Sequence, residues 1–257
     1  MQRRPSWLIA LGTCLALVVI NNIHWMLTSW PRYRSLHWRH AFYVAESIDK
    51  LAGIAVCIAV VWLLRRHARH MIAHEFALDQ PVLPGLMFAM ACSIPMLVGL
   101  AVTRHFSPSN TIGALVFLTV FSPMVEEIEY RAFGVRQLAR GTRWPFWVAV
   151  WPSTLLFGWG HVEQGHSSQE KLAIFLITGT GGLILAWLLY RWQNLWFPIM
   201  LHIAMNLLWE LFSVARTAVA GWFPFALEAL TMLIAVVVTL SLAPPPGTRL
   251  SYGAQAK

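Results

Sequence analysis

The composition of this chain indicates a membrane protein. Of its 257 residues, 58% are hydrophobic and 12% are charged, whereas a soluble domain carries about a quarter charged residues. The apolar residues form runs of about 18 or more, the length that predicts transmembrane helices. The net charge of +8 does not indicate nucleic-acid binding, because the basic residues stand in loops between these runs, where they orient the chain and contact anionic lipid headgroups.

The apolar runs predict an all-α fold, a polytopic transmembrane bundle of about eight helices. The predicted spans are 6–29, 42–64, 83–103, 111–135, 145–161, 170–190, 195–213 and 222–242. The fifth span is short, so a count of seven also fits. We expect four regions along the chain: about three N-terminal helices in 1–110, catalytic core helices in 111–213, the last transmembrane helix in 214–242 and a disordered polar tail in 243–257.

The distribution of basic residues predicts the orientation of the bundle. With the N-terminus inside, the inner side collects Arg3, Arg4, Arg65, Arg66, Arg69, Arg136, Arg140, Arg143, Arg191, Arg249 and Lys257. The outer side collects Arg32, Arg34, Arg39, Arg104, Lys171 and Arg216. Because cytoplasmic loops carry the excess of lysine and arginine, we expect a multi-pass protein of the cell membrane with both termini cytoplasmic.

Charged residues occur inside the fourth predicted span, in the segment EEIEYR at 126–131. On an α-helix Glu127 and Arg131 share a face and can pair. Glu126 lies about 100° around the helix from Glu127, so it can face a different space and stay free for proton transfer. Glu129 is three residues from Glu126 and is expected near it. The alternative is a helix end that emerges among the headgroups, where such charges are ordinary.

Two histidines have a partner four residues away on two other predicted spans. Phe157 and His161 close the fifth span, and His202 and Asn206 open the seventh. Residues four apart share a helix face, so each pair projects to one side. Taken alone, the histidine of the first pair is more typical of a structural or interfacial residue, and the second pair is equally typical of an interhelical hydrogen bond.

Together these groups predict a polar catalytic cavity inside the membrane, because ionisable residues there are costly and usually functional. A glutamate and a histidine that share one water can take its proton and return it to a leaving amine. A second histidine and an asparagine can donate hydrogen bonds to the oxyanion of a tetrahedral intermediate, each worth roughly 2.7–4 kcal/mol. This set suffices to hydrolyse an amide with water as the nucleophile.

The three motifs resemble those of the CPBP (CAAX protease and bacteriocin-processing) intramembrane glutamic proteases, which include the Rce1-type CAAX endopeptidases. The signatures of that family, Glu-Glu-x-x-x-Arg, Phe-x-x-x-His and His-x-x-x-Asn/Asp, occur here in the same order on separate predicted helices. The resemblance covers about residues 111–213. Two departures are Ala132, where the family usually has glycine, and the additional carboxylate Glu129.

The resemblance implies a role for each matched residue. Glu126 and His161 would activate the attacking water, and His202 and Asn206 would stabilise the oxyanion. Three further residues would support the site: Glu127, Arg131 and Phe157. The resemblance implies no metal and no cofactor. The expected partners are membrane lipids and a peptide or membrane-protein substrate, with or without a lipid chain, and no nucleic acid.

Three other functions compete with a metal-independent glutamic endopeptidase. One glutamate and two histidines could hold Zn²⁺ with an open position, although no His-Glu-x-x-His occurs. A non-proteolytic immunity or scaffold protein could retain the bundle, but it would be free to lose such costly polar groups. A proton-coupled transporter also uses buried glutamate and histidine, but the chain shows no repeat or matching broken helices.

Overall fold

The chain folds as a bundle of helices. The computed structural model describes residues 5–38, 42–64, 71–108 and 110–244. Its helices are α1 Ser6–Thr28, α2 Pro31–Trp38, α3 Phe42–Leu64, α4 Ile72–Glu75, α5 Val82–Thr103, α6 112–142, α7 Phe146–Gly160, α8 Ser168–Trp192, α9 Trp196–Leu211 and α10 Trp222–Leu242. No β-strand occurs within these ranges, which confirms the all-α prediction.

A long helix occupies each of the eight predicted spans. Within the described residues, five of them (α1, α3, α5, α8 and α10) are long and apolar enough to cross a membrane. The other three, α6, α7 and α9, carry the three motifs. Helices α7 and α9 have 15 and 16 residues, fewer than the roughly 20 that span a bilayer, and α6 contains the charged motif. The short helices α2 and α4 were not predicted.

Some predictions concern residues outside the described ranges. The predicted polar tail lies there from residue 245 onward. The same is true of eight of the basic residues used for orientation: Arg3, Arg4, Arg39, Arg65, Arg66, Arg69, Arg249 and Lys257. The orientation and the region boundaries at 110 and 213 therefore stay predictions.

Two apolar clusters hold the bundle together. The first joins α1, α3, α6 and α9 through Leu17, Val61, Phe133 and Ile199. The second joins α5, α8, α9 and α10 through Met96, Leu188, Leu201 and Ala235. Helices α5 and α9 approach closely because Gly85 has no side chain: a Cβ there would lie 2.6 Å from the backbone of Trp196. Small residues allow such contacts between membrane helices.

Helix α6 is irregular where the charged motif lies. Its α-helical turns alternate with two π-helical segments, Phe117–Phe121 and Glu127–Arg136. π-helical turns are rare and frequently mark functional sites. In the second segment the hydrogen-bond ladder changes, and the carbonyl of Tyr130 accepts a hydrogen bond from the hydroxyl of Ser153 on α7. The sequence predicted a regular α-helix here, since a π-helix has no simple compositional signal.

Candidate active site

The carboxylate of Glu126 is held by two donors. Lys50 Nζ on α3 donates a hydrogen bond to Glu126 Oε1 at 2.8 Å, and Ser122 Oγ donates to the same oxygen at 2.8 Å. The two charged side chains are largely buried, with 21% of Lys50 and 13% of Glu126 exposed. The prediction that Glu126 is free of a charged partner is therefore wrong. An ammonium group in direct contact stabilises the ionised form of a carboxylate.

The carboxylate of Glu127 is fully buried and lies between two cationic or potentially cationic groups. His202 Nδ1 donates to Glu127 Oε1 at 2.8 Å, and Arg131 Nη1 lies 3.3 Å from the same oxygen. The predicted pairing of Glu127 with Arg131 is thus present, although this part of the helix is π-helical. Because the carboxylate accepts the proton of Nδ1, the other ring nitrogen of His202 remains available to a substrate.

The guanidinium of Arg131 is buried against an aromatic ring. Its carbon lies 4.0 Å from the centroid of Phe157, a cation–π distance. A Cβ at Gly182 on α8 would lie 3.1 Å from Arg131 Nη2 and 3.0 Å from Phe157 Cδ1. Because Gly182 has no side chain, there is space for the guanidinium of Arg131 to lie against the ring of Phe157.

The hydrogen bonds of His161 determine which of its nitrogens faces a substrate. His161 Nδ1 lies 2.7 Å from the carbonyl oxygen of Phe157. A carbonyl only accepts, so Nδ1 carries the proton, and in the neutral ring Nε2 has a free lone pair. The rings of Phe157 and His161 lie on one face, with centroids 4.6 Å apart, as their spacing predicted. His161 is thus oriented as a base at Nε2.

Asn206 is anchored to the first π-helical segment of α6. Its Nδ2 donates to the carbonyl of Leu118 at 3.3 Å. One of the two amide hydrogens is used in this bond, so the second remains for another acceptor. Contact with an irregular turn of a distant helix fixes the direction of the carboxamide.

The four predicted catalytic side chains line one cavity of about 730 Å³: Glu126, His161, His202 and Asn206. Ser122 and Phe157 also line it, while apolar residues of α8 and α10 such as Leu185 and Met232 form its walls. Cavities of this size accommodate small-molecule or peptide groups. The arrangement places a proton acceptor, a carboxylate and two hydrogen-bond donors around a single space.

The remaining predicted residues lie behind this cavity or away from it. Glu127 and Arg131 are buried beneath the cavity wall, where they contact His202 and Phe157. Glu129 is 3% exposed and faces α3 at Gly53. Sequence reasoning did not identify Lys50 as a site residue. Its only signal in the sequence is its position directly before the apolar run that begins at Leu51.

Comparison with known proteins adds one finding to this geometry. Residues 108–208 match the family model described as type II CAAX prenyl endopeptidase Rce1-like. These residues, the Rce1-like region, are similar to that family. The Rce1-like region contains all three motifs, which confirms the resemblance expected from the sequence, whereas Lys50 lies outside it. Neither the curated proteins nor the solved structures contain a match.

Proposed function

We propose that this protein is an intramembrane endopeptidase that hydrolyses a peptide bond with a glutamate- and histidine-activated water. The similarity of residues 108–208 to the Rce1-like family model supports CAAX-type endopeptidase activity at the level of the family. The observation that carries the proposal is the convergence of Glu126, His161, His202 and Asn206 on one cavity. These are the groups that amide hydrolysis without a covalent intermediate requires.

In the proposed reaction, Glu126 orients the water and His161 receives its proton. The water oxygen attacks the carbonyl carbon of the substrate, and Nε2 of His161 takes the proton that is released. The C–N bond then breaks, and the same proton passes to the leaving amine nitrogen, so the histidine returns to its neutral form. Lys50 and Ser122 hold the carboxylate of Glu126 in place, and its negative charge stabilises the imidazolium that forms on His161.

The oxyanion of the tetrahedral intermediate would be bound by His202 and Asn206. With Nδ1 bonded to the carboxylate of Glu127, His202 donates to the oxyanion from Nε2 when both ring nitrogens carry a proton. Asn206 donates its second amide hydrogen. Each such donor contributes roughly 2.7–4 kcal/mol to transition-state stabilisation in a water-poor site.

We propose that the reaction needs no metal in this cavity. Within the described residues, three potential metal-ligand atoms lie within 4.8 Å of one another at His24, Glu46 and Asp49, outside this cavity. Glu126, His161 and His202 do not form such a group. The expected result is that strong chelators leave the cleavage activity of the folded, purified protein unchanged, while a loss of activity that Zn²⁺ restores without any change in melting temperature would contradict it.

The substrate we propose is a peptide or membrane protein at the bilayer, with or without a lipid chain. We also propose that the protein lies in the cell membrane with both termini cytoplasmic. A reporter fused to the C-terminus that is active only in the cytoplasm should then be active, and a reporter that is active only outside should be silent. The reverse pattern would contradict this orientation.

The experiment that tests the activity compares membranes that contain the wild type, Glu126→Gln or His161→Ala. Mass spectrometry should show one or more precursor peptides that accumulate with both variants and are shortened with the wild type. The control is Glu163→Gln, because Glu163 is exposed, pairs with Lys171 at 3.6 Å and does not line the cavity. Identical peptides from both site variants and this control would contradict the proposal and favour a non-proteolytic membrane protein.

A further inference from the structure

A second polar cluster lies where α1, α2 and α3 meet, outside the candidate active site. His24 belongs to α1, Tyr33 to α2, and Glu46 and Asp49 to α3. Their side chains join three helices, and none of the four lines the cavity that contains Glu126. All four also lie outside the Rce1-like region, so the family match assigns them no role.

Three oxygen atoms surround a single nitrogen atom in this cluster. His24 Nδ1 lies 2.9 Å from Asp49 Oδ2, 3.2 Å from Tyr33 Oη and 3.5 Å from Glu46 Oε1. The hydroxyl of Tyr33 donates to Asp49 at 2.6 Å. Nδ1 carries at most one proton, which cannot serve three oxygens at once. Convergence of several oxygens and one imidazole nitrogen is the arrangement of a metal site.

Asp49 provides a second, independent observation. The residue is 9% exposed, and its other carboxylate oxygen, Oδ1, is buried without a hydrogen-bond partner. Leaving a buried carboxylate oxygen unsatisfied costs more than leaving a neutral polar atom unsatisfied. Coordination to a cation satisfies such an oxygen, since ionised carboxylates in the interior of a protein pair with charges or bind metals.

We propose that His24, Glu46 and Asp49 form a binding site for a divalent transition-metal ion, with Zn²⁺ as the probe. The ligand atoms would be His24 Nδ1 and one oxygen from each carboxylate, which lie within 4.8 Å of one another. In the bound state Nδ1 presents its lone pair to the ion, and the one ring proton is on Nε2. Tyr33 keeps its hydrogen bond to Asp49 and orients that ligand, as partners of metal ligands do.

The choice of ion follows from the ligand types. An imidazole suits zinc, copper, iron and nickel, whereas magnesium and calcium take oxygen ligands almost exclusively. Three protein ligands leave room for water at an open position. The three proposed ligands belong to α1 and α3, so an ion here joins these two helices, and we therefore expect it to raise the stability of the protein.

The test measures Zn²⁺ binding rather than cleavage. Tag-free, full-length protein in detergent micelles is stripped with chelator, and binding is followed by calorimetry and by metal content after gel filtration. The wild type should bind one equivalent. Tyr33→Phe, which removes only the orienting hydroxyl, should weaken binding about 10–100-fold, and His24→Ala and Asp49→Asn should weaken it further.

Two controls separate this site from other histidines. His74→Ala removes an exposed histidine that pairs with Asp79 at 2.8 Å, and His161→Ala removes a candidate catalytic residue. Both should bind Zn²⁺ as the wild type does, whether or not the protein cleaves peptides. Binding that is lost in His161→Ala but kept in His24→Ala would overturn the proposal, as would a wild type that binds no Zn²⁺. Thermal unfolding curves identify any variant that fails to fold, in which case Tyr33→Phe decides.

Discussion

Lys50→Met is the substitution that tests most sharply how Glu126 is held. The ammonium and the carboxylate are 2.8 Å apart and largely buried. At an effective dielectric constant of about 20, their direct attraction is about 6 kcal/mol, which desolvation partly offsets. Removing one partner of a buried pair costs about 3–5 kcal/mol, because it leaves the other charge without compensation. Since both groups retain some exposure, we expect a loss of about 3 kcal/mol in the free energy of unfolding.

The assay is chemical unfolding in mixed micelles, combined with a double-mutant cycle. Lys50→Met should destabilise the protein strongly, whereas the double variant Lys50→Met with Glu126→Gln should recover much of the loss because no charge remains buried alone. The matched control is Lys171→Met, whose partner Glu163 is exposed, so that change should cost less than about 1 kcal/mol. A coupling energy near zero between positions 50 and 126, or equal losses in the two lysine variants, would refute the reasoning.

Three further substitutions test the packing and the site. Gly85→Ala places a Cβ 2.6 Å from the backbone of α9 and should lower the free energy of unfolding by about 1–3 kcal/mol. The control Gly179→Ala, with nothing within 4 Å of its Cβ, should be neutral or stabilising by up to about 1 kcal/mol. Equal losses of unfolding free energy in the two variants would contradict this packing. Gly182→Ala crowds the guanidinium of Arg131 and should reduce kcat about tenfold with a small change in melting temperature, because small displacements of site residues lower the reaction rate. An unchanged kcat would contradict this prediction. Asn206→Ala should reduce kcat about 10²–10³-fold with little change in KM if the amide binds the oxyanion, and a change in KM alone would contradict that role.

The features that sequence reasoning predicted correctly depend on local helix geometry. The pairing of Glu127 with Arg131 and the contact of Phe157 with His161 were both predicted from a four-residue spacing, which places side chains on one face of an α-helix. The positions of the eight long helices follow from apolar runs in the same way. The polar groups of the three motifs predicted that α6, α7 and α9 meet at one cavity, because isolated ionisable groups inside a membrane are costly.

The features that it missed depend on contacts between distant parts of the chain. Lys50 and Glu126 are 76 residues apart, and no spacing rule connects a lysine on α3 with a glutamate on α6. Asn206 and Leu118 are 88 residues apart, and their contact requires the π-helical turn that the composition of α6 does not reveal. For this reason Glu126 was expected to be free, although tertiary packing supplies its partner.

The proposed function requires that Glu126 and His161 activate water for peptide hydrolysis without a metal ion in the cavity. It is tested most directly with purified protein in liposomes that contain excess chelator and a precursor peptide that accumulates in membranes with the Glu126→Gln variant. We predict that the wild type cuts this precursor at one bond and that Glu126→Gln and His161→Ala, folded as judged by their melting curves, do not. Equal cleavage by the wild type and both variants, or no cleavage by the wild type, would contradict the account.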